Sequence, residues 1–302
     1  MNNWYEIKEQ SAGKYRLLFL WYVYKIFKLS GLKFMLRLIL PFIIVFSKSA
    51  RVNSKKYRMV LNNFQKSHNL KVAKFSPYSH ISSYALSLAE KFSVLCDDKT
   101  SLKFDVNKDE NWGEFLDVLN KKIGAFLICS HLGNVEVLSA LPEVNKDYPK
   151  SYLHAFMETS HNNVFHKFIT ERMKDKSFEL HSTETLNFDT IMKLYEDLQA
   201  GQLLMMAGDR VSAENPKMVV ECEMLDRKIK LPKGVFKFAQ TLHHPTFAVF
   251  LMREKEFYKL YLYKIDNNLS VSEMAKQYAS VLEKLLLLYP NQWYNFYPYF
   301  EE

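Results

Sequence analysis

The chain has 302 residues, of which 48% are hydrophobic, 15% are aromatic and only 8 are glycine. This length and composition suit one globular domain with an appended segment, and they argue against disordered chains and repeat architectures. The formal net charge of +8 predicts an anionic partner, either a membrane surface or a nucleic acid. No RNA- or DNA-binding motif accompanies the charge, so we do not expect a nucleic-acid partner.

The N-terminal segment is apolar but is interrupted by cations. These are Lys14, Arg16, Lys25, Lys28, Lys33, Arg37 and Lys48. The apolar pieces between them are shorter than the ~18 uncharged residues expected of a transmembrane helix. Cations among aromatic residues are typical of an interfacial helix, whose basic side chains meet anionic headgroups. We therefore predict a membrane-associating helical segment over residues 1–52, the alternative being a buried helix pair that covers a sheet.

From residue 53 onward, helical and strand patterns alternate. The expected helices are 54–96, with a break at Pro77, and 162–174, 189–199, 235–241 and 272–288. The expected strands are the run before His131 and residues 152–157, 202–207, 246–252 and 257–263. This order predicts one α/β domain over residues 53–302, a single layered domain in which helices flank a mixed central sheet.

A histidine and an acid stand where the first strand ends. His131 follows the apolar run 126–129, Gly133 supplies a turn, Asn134 is placed to cap the next helix, and Glu136 follows. Imidazole can take a proton from a hydroxyl near neutral pH, and a nearby carboxylate can fix its tautomer. His131 and Glu136 are therefore a candidate catalytic dyad at the edge of the sheet, where ligands usually bind. A structural histidine is the alternative.

Two later loops also follow strands. Asp209 and Arg210 come after the strand 202–207, while Lys233 and Gly234 open a helix whose N–H groups can hold an anion. If the loops converge at one edge of the sheet, both lie near His131. The plainer alternatives are a surface ion pair at Asp209-Arg210 and a simple strand-to-helix connection at Lys233.

The cysteines and the remaining histidines carry little functional signal. The three cysteines are Cys96, Cys129 and Cys222, an odd and sparse set typical of reduced thiols in the cytosol. Cys129 is close enough to His131 for a thiol nucleophile to be considered, but a buried strand position is favoured. The histidines outside the dyad, such as His154, His161, His166, His243 and His244, lack zinc spacing. We expect them to be surface or satisfied polar groups, and we expect no metal or cofactor.

In this order, the motifs resemble the lysophospholipid acyltransferase superfamily, in the branch that contains the lipid A late acyltransferases. The similar blocks are residues 131–136, 207–210, 231–239 and 289–297, and Trp4 and Gly13 accompany a basic apolar N-terminus like that branch's anchor. Lipid A enzymes usually have glutamine at the position of Arg210. Their Trp-x-His-x-Arg tail is replaced here by the sequence from Trp293 to Tyr297. These departures resemble a sister group found with aryl-polyene or related acyl-lipid biosynthesis clusters.

The resemblance implies an O-acyltransferase of the HX4E type. It would move a fatty acyl group from acyl-carrier protein or coenzyme A to a hydroxyl of a lipid or glycolipid, at the cytoplasmic face of the inner membrane. His131 would be the general base and Glu136 would orient it. The implied substrate-binding residues are Gly133, Asn134, Asp209, Arg210, Lys233 and Gly234, with the Gly133 and Asn134 amides or Arg210 stabilising an oxyanion. The alternative is a non-catalytic, membrane-associated protein that binds acyl chains or a partner.

Overall fold

A computed structural model of the chain describes residues 14–95, 102–106, 110–140, 151–157, 178–183, 186–212, 215–255 and 257–300. Its α-helices are α1 (Lys14–Phe46), α2 (Lys48–Ser67), α3 (Pro77–Leu95), α4 (Glu110–Asn120), α5 (Phe188–Gln199), α6 (Lys233–Leu242) and α7 (Val271–Leu288). Its strands are β1 (Phe104–Val106), β2 (Ala125–Cys129), β3 (Leu153–Met157), β4 (Phe178–Ser182), β5 (Leu203–Ala207), β6 (Val219–Met224), β7 (Arg227–Pro232), β8 (Thr246–Arg253) and β9 (Tyr258–Ile265). Short 3-10 helices cover Val135–Ala140 and Pro290–Gln292.

Seven of these strands form one sheet in the order β1-β9-β8-β2-β5-β3-β4. Neighbouring strands pair in parallel, except for β8 and β9, which are antiparallel. The predicted mixed central sheet flanked by helices is confirmed. β6 and β7 form a separate antiparallel hairpin. The strands β2, β3, β4, β5 and β8 therefore share one carboxyl edge, at which the loops that follow them meet.

The central strand β2 is buried on both faces of the sheet. Phe126 and Ile128 pack into a hydrophobic cluster that includes residues of α6 and α7. Leu127 and Cys129 pack into a second cluster, which includes residues of α4. A strand covered on both faces is a continuous apolar run in the sequence, which explains why this element was predictable. The expectation that Cys129 is a core residue is confirmed, because the residue is 6% exposed.

Helix α1 packs along α3 and leaves an apolar face exposed. Its buried side chains are Tyr24, Leu32, Leu40 and Ile44. Its exposed side chains include Phe19, Tyr22, Ile26, Phe27, Phe34, Leu38, Phe42, Val45 and Phe46. The backbone leaves helical geometry at Lys28 (φ 56°, ψ −166°). In the described part of the chain, the stretch Trp21–Phe46 is long and apolar enough to cross a membrane by length and composition alone.

One cation of α1 turns toward the protein interior. Lys33 Nζ lies 2.8 Å from the carboxylate of Glu90, a buried residue of α3. As predicted, cations divide Trp21–Phe46 into short uncharged pieces, although the whole stretch is long and apolar enough to cross a membrane by length and composition.

Several elements differ from the sequence-based prediction. The segment after His131 is a 3-10 helix and not an α-helix, and the strands β1, β4, β6 and β7 were not predicted. The suggested boundary at residue 52 falls inside α2. The helix predicted over 162–174 lies outside the described residues.

Candidate active site

His131 and Asp209 occupy equivalent positions after two neighbouring parallel strands. Cys129 at the end of β2 is in register with Ala207 at the end of β5, and the two functional residues each follow two positions later. The His131 Nδ1 atom lies 2.8 Å from Asp209 Oδ1, and the His131 backbone N–H donates to Asp209 Oδ2 at 3.0 Å. The sheet itself therefore brings together two residues that are 78 positions apart.

This contact fixes the tautomer of the imidazole. A carboxylate only accepts hydrogen bonds, so the ring hydrogen of neutral His131 is on Nδ1 and a lone pair remains on Nε2. Within the part of the chain that the structure describes, Nε2 has no hydrogen-bond partner, and 33% of the His131 side chain is exposed. The ring is thus held from one side and accessible from the other, as a general base requires.

Asp209 is completely buried and is surrounded by donors. Besides His131, the indole Nε1 of Trp293 donates to Oδ2 at 3.2 Å, and Asn295 Nδ2 donates to the same oxygen at 3.3 Å. Burial alone raises the pKa of Asp209, but the charge and hydrogen bonds of His131 and the charge of Arg210 outweigh it and lower the pKa to about 2. The carboxylate therefore stays ionised at neutral pH.

The C-terminal tail forms one wall of the site. The Tyr294 N–H donates to the carbonyl of His131, and the Gly133 N–H donates to the carbonyl of Gln292, both at 2.9 Å. From the other side, the imidazole of His80 on α3 lies 2.7 Å from the Trp293 carbonyl. The aromatic residues Trp293 and Tyr294 of the tail pack against the domain and are 1% and 5% exposed.

The structure reassigns the residues of the first loop. Nδ1 of His131, the atom that Glu136 was expected to orient, is held by Asp209, and the side chain of Glu136 lies outside the described residues. The Gly133 and Asn134 N–H groups donate to the carbonyls of Gln292 and Leu251, and their role in stabilising an oxyanion stays a prediction.

Gly133 and Asn134 also shape the loop. Gly133 has φ +82°, and a Cβ atom there would lie 2.3 Å from the Leu251 carbonyl oxygen, so only glycine fits. The Asn134 side chain is buried and donates to the carbonyl of Ser87 on α3 at 3.1 Å. It anchors the loop to α3 and does not cap the following helix. Asp209 is completely buried and bonded to His131, which excludes a surface ion pair, while its role in substrate binding stays a prediction.

Lys233 and Gly234 begin α6 and are exposed. The Phe236 ring packs 5.6 Å from Tyr278, whose hydroxyl donates to the carbonyl of Cys129 at the end of β2. Further along α6, Phe238 packs 5.6 Å from Phe126 at the start of β2. The helix thus begins near the sheet edge that carries His131. No hydrogen bond joins Lys233 or Gly234 to the His131 cluster among the residues that the structure describes.

An open depression of about 600 Å³ lies elsewhere, between β9 and α7. Its lining includes Tyr263, Lys264, Glu273 and Lys276. It contains none of the residues around His131, so its volume says nothing about the chemistry of the imidazole.

A family model described as bacterial lipid A biosynthesis acyltransferase matches residues 79–302. This range covers about three quarters of the chain and includes His131, Asp209 and the tail. The chain belongs to the bacterial lipid A biosynthesis acyltransferase family. No curated protein gives a significant match. Membership makes the protein an acyltransferase that acts on lipids, and it confirms the sequence resemblance at the level of the family.

The departures from the pattern of the lipid A enzymes contact one another. Arg210 Nε donates to Asn295 Oδ1 at 2.8 Å, and the Tyr297 hydroxyl donates to the same oxygen at 2.7 Å. The Arg210 guanidinium also lies 4.9 Å from the centre of the Tyr297 ring, which suits a cation–π contact. The glutamine, histidine and arginine of the usual pattern are thus replaced together by three residues that form one unit beside Asp209.

Sequence reasoning missed this role of the tail. Trp293 and Asn295, two donors that hold Asp209, come from the tail, to which the sequence analysis assigned no site residue. The available signal was a polar side chain, Asn295, set between aromatic residues that the core buries. Buried polar groups are normally hydrogen-bonded, so such a residue indicates a partner that is also buried.

Proposed function

We propose that the protein is an O-acyltransferase in which His131 is the general base. Nε2 takes the proton of an acceptor hydroxyl while its oxygen attacks the carbonyl carbon of an acyl thioester. A new ester C–O bond forms, the C–S bond breaks, and the proton passes from the imidazolium to the departing thiolate. The observation that carries this proposal is the His131–Asp209 contact, which leaves the lone pair of Nε2 accessible.

In this mechanism Asp209 holds the ring and offsets the charge of the imidazolium. Its buried, fully hydrogen-bonded carboxylate is suited to both tasks, because the ring cannot rotate without losing the Nδ1–H contact. The competing assignment is the predicted one, in which Glu136 orients the His131 ring. Exchange of Glu136 for glutamine separates the two assignments.

An oxyanion forms during the attack and needs a donor. The amides of Gly133 and Asn134 donate to carbonyls, so we propose Arg210, whose charge lies beside Asp209 and which would exchange some of its contacts with Asn295 and the Tyr294 carbonyl for the oxyanion. Stabilisation of such an oxyanion is typically worth several kcal/mol. Lys233 and Gly234, at the start of α6, are proposed contacts for a phosphate of the donor's pantetheine arm.

The exposed apolar face of α1 supports action at a membrane. The family is membrane-associated in general, and α1 carries a row of exposed large apolar side chains. We propose that α1 lies against the cytoplasmic face of the inner membrane, where a lipid or glycolipid acceptor is available. The net charge of +8 suits acidic acyl-carrier protein as donor, with coenzyme A as the second choice. The Arg210-Asn295-Tyr297 unit replaces residues typical of the lipid A enzymes. It therefore supports the aryl-polyene-related branch, and an acceptor other than lipid A.

A thioester-release assay on lipid vesicles tests the proposal. Purified protein is given acyl-carrier protein or coenzyme A donors, and products are analysed by mass spectrometry before and after mild base, which cleaves esters. His131→Ala should lower transfer by about 10²–10⁴-fold while the protein stays folded. Wild-type turnover by this variant would refute the role of His131. Binding without thioester release would favour the non-catalytic alternative, and release of free fatty acid alone would indicate a hydrolase.

A further inference from the structure

Three potential metal ligands face one another on the strands β3 and β4. His154 is paired with Glu179 across the two strands, and His181 follows two positions after Glu179 on the same face of the sheet. The sequence separates His154 from His181 by 27 positions, which is why no zinc spacing was visible. The three side chains take no part in the proposed acyl transfer.

The distances between the three ligand atoms match one metal ion. His154 Nδ1 lies 2.9 Å from His181 Nε2 and 3.9 Å from Glu179 Oε2, and the last two atoms are 3.6 Å apart. The circle through three points with these separations has a radius of about 2.0 Å, which is the length of Zn–N and Zn–O bonds. An ion at its centre would lie in the plane of the three atoms, so a tetrahedral ion, which lies above that plane, needs small rotations of the three side chains.

The surroundings of His154 leave the correct nitrogen available. Gln202 Nε2 donates to the carboxylate of Asp197 at 3.2 Å, so the amide oxygen of Gln202 faces the histidine. That oxygen lies 2.6 Å from His154 Nε2, which must therefore carry the ring hydrogen. Nδ1 is left with its lone pair directed at His181 and Glu179. Histidines that bind metals commonly donate their second ring N–H to such a group.

We propose that His154, Glu179 and His181 bind one divalent zinc ion, with water in the fourth position. Two imidazoles and one carboxylate are a ligand set that zinc uses in proteins. The Glu179 side chain is 51% exposed, so an ion can enter from solvent, while His154 is 6% exposed and fixes the inner ligand.

The site is separate from the acyl-transfer site. His154 is in register with Leu204, which is in register with Phe126, five residues before His131. At about 3.3 Å per residue this places the ion about 16 Å from His131 along the strand direction, two strands away. The ion would join the edge strand β4 to β3 and, through Gln202, to α5.

Without a metal, the same geometry is a hydrogen bond from His181 Nε2 to His154 Nδ1, and zinc titration separates the two arrangements. Tag-free protein, first dialysed against a chelator, is titrated with zinc by calorimetry and by competition with a chelating dye. We expect one ion per chain, a higher melting temperature with zinc, and acyl transfer that is unchanged by the chelator. Cobalt should give the visible absorption of a tetrahedral site.

Variants identify the ligands. His181→Ala and Glu179→Ala should weaken zinc binding by about 100-fold or more, and Gln202→Ala by about 10–100-fold. His68→Ala is the matched control, because His68 also faces a carboxylate, that of Asp226 at 3.6 Å, and it should bind zinc like the wild type. Should His181→Ala fail to fold, His181→Asn takes its place. Absence of zinc binding by the wild type, or unchanged affinity in the ligand variants, would overturn the proposal.

Discussion

Replacement of Asp209 by asparagine changes the charge beside His131 but keeps the shape of the side chain. Oδ2 of Asp209 accepts from three donors, namely the His131 backbone N–H, Trp293 Nε1 and Asn295 Nδ2. The amide oxygen of the new side chain will therefore take the place of Oδ2. Its NH₂ group then faces His131 Nδ1, at the 2.8 Å distance that Oδ1 had. Because NH₂ is a donor, Nδ1 must accept, and the ring hydrogen moves to Nε2.

The catalytic loss follows from this tautomer. An Nε2 that carries hydrogen cannot take a proton from the acceptor hydroxyl. In serine proteases the same exchange lowers kcat about 10⁴-fold, and we expect about 10³–10⁴-fold here, which is roughly 4–5.5 kcal/mol at 1.36 kcal/mol per tenfold. Stability also falls. The pKa of Asp209 is about 2 against an ordinary value of 3.8, so the ionised form contributes about 2–3 kcal/mol at neutral pH.

Transfer rates, urea unfolding and ¹⁵N NMR of the histidine rings measure the three effects. In the wild type the hydrogen of neutral His131 is on Nδ1, and in Asp209→Asn it should be on Nε2. Glu136→Gln should leave it on Nδ1. Asp117→Asn is the matched control, because Asp117 is an exposed partner of Lys121 and should change stability by less than about 1 kcal/mol. An unchanged tautomer in Asp209→Asn, or a tautomer that responds to Glu136→Gln alone, would refute the assignment.

Three further predictions test the surroundings of His131 and Asp209. Burial lowers the pKa of His80 from 6.5 to about 4. The free energy of unfolding therefore has the full contribution of neutral His80 above pH 6.5, and it falls by up to roughly 3 kcal/mol as the pH drops toward 4. Urea unfolding of His80→Gln should lack this part of the pH dependence. Gly133→Ala forces a Cβ against the Leu251 carbonyl and should cost roughly 2–4 kcal/mol in the same assay, whereas Gly113→Ala, in open space on α4, should be neutral or stabilising. Arg210→Lys removes the planar donors that reach Asn295 and the Tyr294 carbonyl, and should destabilise the fold by about 1–3 kcal/mol and lower kcat; unchanged turnover and donor KM would exclude Arg210 from the chemistry.

The central strands were predictable because burial on both faces makes them continuous apolar runs. β2 is the clearest case, and β5 and β8 follow the same rule. β1 has only three residues and gives no comparable signal. β6 and β7 alternate exposed charged residues with apolar residues that the core buries, a strand pattern that the sequence analysis overlooked.

The position of His131 at the end of a strand was predictable, but its hydrogen-bond partner was not. His131 follows a strand that the sequence shows clearly, and Glu136 was chosen because it is close in sequence. Asp209 is the actual neighbour, because parallel register aligns the end of β2 with the end of β5. The same reason hid the contact between His154 and His181, which depends on the pairing of β3 with β4. The sequence alone does not show which residues of different strands lie side by side.

The tail ties the geometry of the site to local unfolding. Gln292 and Tyr294 bond to the loop of His131, and Trp293 and Asn295 donate to Asp209. Trp293 is also only 1% exposed, so detachment of residues 292–295 would open the core and release the imidazole together. Amide hydrogens of the tail and of the His131 loop should therefore exchange with solvent as one cooperative unit.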